Sequence, residues 1–109
     1  LDLTKLSSLH FEAPDLDRFP SISLAYRALR TGGTLPAAMN AANEEAVHAF
    51  IKERISLSDI PLIIRAIMDD HKVSPVKILD DVLNADRGAR QLARRIINQL
   101  AAVPRANVA

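Results

Sequence analysis

Residues 33–50 read GTLPAAMNAANEEAVHAF, and six alanines fall between positions 37 and 49. Alanine loses no side-chain entropy on entering a helix and ranks first in helix propensity. Thr34 stands where an N-cap belongs, and Pro36 falls in the first turn, where a missing N–H costs nothing. Leu35, Met39, Ala42, Ala46, Ala49 and Phe50 share one helical face. A face of small residues admits neighbours on several sides, so the pattern predicts a central helix from Thr34 to about Arg54. Asn40 and Asn43 sit in it at i and i+3. A buried amide left unpaired costs roughly 1–3 kcal/mol. The two either line a ligand pocket or, the preferred reading, bond a neighbouring loop or connector and fix packing register.

The flanking segments take their places around that rod. Residues 1–19 mix leucine with short polar residues, and Ala13 and Phe19 each precede a proline, which biases them to extended backbone. They read as an extended connector, with a short strand at residues 8–12 as an option. A first helix spans residues 20–31, with Ile22, Ala25, Tyr26 and Leu29 as its stripe and Leu24 and Ala28 beside it. Gly32-Gly33 stops it, and so short a turn favours antiparallel neighbours. A third helix starts near Ser58, after a loose capping box at residues 56–59, and carries Ile60, Ile63, Ile64, Ile67 and Met68 on one face. Arg65, Asp69 and Asp70 point to water.

A fourth helix runs from about Leu79 to Ala101 on Leu79, Val82, Leu83, Ala89, Ala93, Ile96, Ile97 and Leu100. Gly88 inside it costs about 1 kcal/mol against alanine. It implies a crossing helix, a bend, or a second start capped by Asn84. Residues 102–109 read as a tail. The fold class is all-α, a four-helix-bundle-like domain preceded by an extended connector.

At 109 residues the chain has room for one modest core. A net charge of +1 implies no general attraction to nucleic acid or anionic membrane. No cysteine is present, which removes disulfides, thiolate metal sites and thiol nucleophiles together. No apolar run approaches the ~20 residues that span a bilayer. The chain opens without methionine, on LDLTKL, and reads as a fragment or an excised domain.

Besides the two asparagines, three groups of residues are candidates for chemistry. Glu45 and His48 spell Glu-x-x-His, one quarter of a bundle di-iron site. Asp69, Asp70 and His71 are adjacent rather than spaced by three, so they supply no second copy, and a surface Glu–His pair is the preferred reading. Arg87, Arg90, Arg94 and Arg95 form a basic strip. With no aromatic residues interleaved and Asp80, Asp81 and Asp86 on the same helix, it reads as a solvated charged face rather than a nucleic-acid surface. Asp86 either pairs with Arg90 one turn on or bonds another helix. The three glycines, Gly32, Gly33 and Gly88, make no Gly-x-Gly-x-x-Gly cradle.

The blocks FEAPDLDRFPSISLAYRALRTGG, LPAAMNAANEEAVHAF, DIPLIIRAIMDD and DDVLNADRGARQLAR, in that order over residues 1–100, resemble the C-terminal part of the 1-deoxy-D-xylulose 5-phosphate reductoisomerase family. The resemblance implies an enzyme that rearranges and reduces 1-deoxy-D-xylulose 5-phosphate to 2-C-methyl-D-erythritol 4-phosphate in non-mevalonate isoprenoid synthesis. It implies NADPH and a divalent metal, magnesium or manganese, in the full-length enzyme, and a cytoplasmic homodimer without nucleic acid or membrane partners. Nucleotide-binding and catalytic domains precede the bundle in that family, and their functional residues map onto no position here. The expectation for this chain is therefore no catalytic, cofactor-binding or metal residue. It would be a scaffold docked on its own catalytic domain through Leu3, Leu6, Leu9 and Phe11 of the connector. The alternatives are a free-standing helical interaction module and a metal-binding bundle.

Overall fold

The computed structural model describes residues 20–102, and those residues form four helices and no strand. They are α1 (Pro20–Thr31), α2 (Leu35–Ile51), α3 (Asp59–Asp70) and α4 (Leu79–Ala102). The connector, the optional strand at residues 8–12 and nearly all of the tail lie outside the described residues. As the alanine pattern predicts, α2 is central: it packs on all three other helices, most extensively on α4 and α3. Leu35, Ala38, Ala41, Ala42, Ala46 and Ala49 are its buried positions.

The α3 stripe is buried as read, Ile60, Ile63, Ile64, Ile67 and Met68 together. Its start is capped by Asp59, whose carboxylate accepts the Ser56 N–H at 2.9 Å and the Ser56 hydroxyl at 3.0 Å. That is the returning half of a capping box.

The stripe read for α1 is the wrong one. Leu24 and Ala28 are buried, whereas Tyr26 is 46% and Leu29 72% exposed. Helix α1 carries apolar residues on two adjacent edges, and contact with α2 and α3 selects the 24/28 edge. Helix α4 begins and ends as expected and is continuous through Gly88, where an added Cβ would meet nothing within 4 Å. No helix crosses there and Asn84 starts nothing. Ala89, Ala93 and Ile97 are buried, but Leu79 and Leu83 are exposed, because the first turns of α4 extend beyond the core.

The turns show what each backbone reversal requires. The Gly32 N–H donates to the Ala28 carbonyl at 2.9 Å with Gly32 at φ +71°, a left-handed cap. At the end of α2, which stops at Ile51, the Glu53 N–H donates to Phe50 O and the Arg54 N–H to Ala49 O, both at 2.9 Å. This is a Schellman closure, and its left-handed position is filled by Glu53 at φ 59° instead of glycine. Thr34 does not cap α2 with its side chain. Its hydroxyl is turned to the chain entering α4.

Candidate functional site

Side chains from distant parts of the chain meet at two places. The first is the α2–α4 seam. Small residues on both helices bring the backbones close, and charged side chains flank the contact. Arg90 donates from Nε to Asp86 at 2.8 Å and from Nη2 to Glu44, with Glu45 3.9 Å from Nη1. Arg94 donates to Glu45. The expected Asp86–Arg90 pair is present, extended across to α2. Hydrogen bonds from Arg90 to Asp86 and then to Glu44 push the guanidinium pKa still further up, so Arg90 is a permanent cation and no proton carrier. The basic strip thus divides: Arg90 and Arg94 turn toward α2 carboxylates, while Arg87 and Arg95 lie exposed.

Beyond this seam an open groove of about 590 Å³ is lined by Glu45, His48, Ala49, Lys52, Arg54, Arg94 and Ile97. Arg54 reaches across it to the Asn98 amide oxygen at 2.6 Å. Glu45 is engaged by Arg94, and His48 is exposed. Among the described residues no group of three or more histidine, aspartate or glutamate side chains is placed to hold a metal ion. The carboxylates that face the groove and seam are held by arginines.

The second place is a clasp between the start of α2 and residues 71–74. Ser74 O accepts the Thr34 N–H at 2.9 Å, and the Ser74 N–H donates to Thr34 Oγ1 at 3.1 Å. His71 Nε2 lies 2.7 Å from the same hydroxyl. Thr34 is buried and every polar atom it offers is used. Gly33 sits against this loop at φ +58°, its Cα facing the Ser74 carbonyl. Gly33 therefore serves a backbone crossing, whereas Gly32 caps α1. Nearby, Asp81 accepts the Lys77 and Ile78 N–H groups at 2.9 and 3.0 Å, which hold its carboxyl below the usual range. This clasp was missed from sequence, where Thr34 has the spacing of an ordinary cap.

Asn40 is exposed and Asn43 half-buried, and neither bonds a described residue through its side chain. The arrangement expected for them, a bond to a neighbouring loop, is not made within residues 20–102.

Fold and site together define a class: a helical packing domain whose helices close on small buried residues, with polar side chains paired across the seams. The comparisons agree with it. A family model described as the DXP reductoisomerase C-terminal domain matches residues 1–92. A 1-deoxy-D-xylulose 5-phosphate reductoisomerase of Acetivibrio thermocellus is 50% identical over 97 residues, 89% of this chain and 26% of that protein. One from Trichlorobacter lovleyi is 52% identical over 100 residues, 92% of this chain and 26% of that protein. Among solved structures, the reductoisomerase of Zymomonas mobilis in complex with NADPH matches with a TM-score of 0.77 and 42% identity, over 89% of this chain and 26% of that one. A DOX-P reductoisomerase in complex with magnesium matches with a TM-score of 0.75 and 37% identity, over 84% of this chain and 25% of that one. The chain belongs to the DXP reductoisomerase C-terminal domain family. It spans about a quarter of the length of these relatives.

Proposed function

We propose that this chain is the C-terminal scaffold of a reductoisomerase converting 1-deoxy-D-xylulose 5-phosphate to 2-C-methyl-D-erythritol 4-phosphate. Residues 20–101 are its bundle, 1–19 the connector to the catalytic and nucleotide-binding domains, and 102–109 a tail. NADPH and a divalent ion, magnesium or manganese, are held by those other domains. No residue here has a catalytic, cofactor-binding or metal role. The relatives' complexes with NADPH and magnesium support the cofactors, and the whole enzyme is a cytoplasmic homodimer in this reading.

The observation that carries the scaffold role is the state of the polar groups. Asp86, Arg90 and Arg94 are bonded within the bundle together with Glu44 and Glu45, and no described buried side-chain polar atom lacks a partner. A close-packed body whose buried polar groups are satisfied internally keeps reacting groups elsewhere in fixed geometry, which catalysis by positioning requires. The test is NADPH consumption with the sugar phosphate and magnesium. The full-length polypeptide turns over and the 109-residue chain does not. Turnover by the 109-residue chain, or none by the full-length protein, refutes the assignment.

A further inference from the structure

Helix α2 carries apolar side chains beyond its packed face, on an arc that no described residue covers. At roughly 100° per residue, the buried positions Leu35, Ala38, Ala41, Ala42, Ala46 and Ala49 fill the face toward the other helices. The opposite arc carries Pro36, Asn40, Asn43, Val47, Phe50 and Ile51, with Glu44 the one charged residue on it, drawn aside to Arg90. Val47, Phe50 and Ile51 are exposed. The outer face of α4 is of the opposite kind, with Arg87, Gln91, Arg95 and Gln99 exposed. A helix that faces water on one side is polar there, and one that is apolar all round is buried. Uncharged amides beside aliphatic and aromatic side chains are also the composition of an interface core, from which charge is depleted.

We propose that this arc of α2 is the surface on which the catalytic part of the same polypeptide docks. The inference rests on the reading of the chain as a reductoisomerase C-terminal domain. About three quarters of the relatives' length lies outside the matched part, and a C-terminal domain receives it through residues 1–19, which lead into α1 beside α2. Nineteen residues reach at most about 65 Å when extended, more than the 46 Å greatest extent of the molecule. The tether therefore permits this face and holds the partner at high effective concentration. The docked surface presents apolar side chains to Val47, Phe50 and Ile51 and main-chain donors and acceptors to Asn40 and Asn43. It supplies the partners that these amides do not find in the bundle.

The chain has no cysteine of its own, so Val47→Cys introduces one reporter on this arc, and Gln91→Cys one on the charged face of α4. Maleimide labelling is followed by peptide mass spectrometry in the 109-residue chain and in the active full-length enzyme. Labelling at position 47 is at least about tenfold slower in the full-length enzyme, while labelling at 91 is equal in the two. Equal labelling at 47 in an enzyme that still turns over overturns the docking site and leaves the assignment of activity intact. Protection at 47 that rises with concentration in the 109-residue chain means that a second copy covers the face, and also overturns it.

Discussion

Gly32 and Gly33 are adjacent, both left-handed, and differ in one respect that a pair of alanine substitutions isolates. At Gly32, φ +71°, a Cβ meets nothing within 4 Å. At Gly33, φ +58°, it would lie 2.5 Å from Ser74 O and 3.1 Å from Val73 Cγ1. Gly32→Ala therefore costs only the left-handed backbone, about 1–2 kcal/mol. Gly33→Ala costs the same and must also displace a carbonyl that is itself the acceptor of the Thr34 N–H. Moving Ser74 disturbs two hydrogen bonds to Thr34, each contributing about 0.5–1.5 kcal/mol net. Thr34 is buried, so water does not replace them freely. The sum is about 2–5 kcal/mol for Gly33→Ala, with the excess over Gly32→Ala at least about 1 kcal/mol. Urea unfolding of the two variants and the parent chain, followed by helical circular dichroism, reads both values. Equal midpoints for the two variants would refute the crossing as described.

Two exposed positions hold the backbone less well than another residue would. Glu53→Gly at the left-handed closure of α2 raises stability by about 1 kcal/mol, and Gly88→Ala, helical with open space around it, by up to about 1 kcal/mol. A rise in the urea midpoint checks each. Asp81 gives a pH effect of defined sign. Its folded pKa is depressed by the Lys77 and Ile78 N–H groups, so its contribution is present above the unfolded value and is lost as pH falls through the lower folded value. Asp81→Asn should flatten the stability profile below about pH 4, and an unchanged acid limb contradicts the part given to these two hydrogen bonds.

Legibility from sequence followed the range of the cause. The third helix was readable because one apolar stripe and one capping segment agree locally. The first was misread because its two apolar edges are equivalent until a neighbour selects one, and nothing in residues 20–31 names that neighbour. Thr34 failed for the same reason: its spacing fits a cap, but its hydroxyl is claimed by residues 71–74, forty positions on. The Asp86–Arg90 pair was visible at i, i+4, whereas Glu44–Arg90 and Glu45–Arg94 depend on the register of two helices that the sequence does not print. Asn40 and Asn43 were picked out as amides needing partners, and the described residues do not provide them.

What holds α2 against α4 can be decided by magnitude. The ion pairs are the most visible contact, yet Glu44 is 53% exposed and Arg94 66%. Exposed pairs contribute about 0–1 kcal/mol after solvent screening. Between Glu44 and Glu45 on the helical wheel, Ala41 is wholly buried, as is Ala93 on α4, and in a close-packed interior a larger side chain must displace its neighbours. Inserting methylenes into such a contact costs about 1–3 kcal/mol, through forced rotamers and shifted backbone. Ala41→Leu should therefore destabilise the bundle more than Glu44→Gln, although it adds apolar area and breaks no ion pair. A double-mutant cycle on Glu44 and Arg90 should return a coupling below about 1 kcal/mol. If Ala41→Leu is neutral and the Glu44–Arg90 coupling exceeds the cost of Ala41→Leu, then charge and not close packing sets the α2–α4 spacing, and the seam has been read the wrong way round.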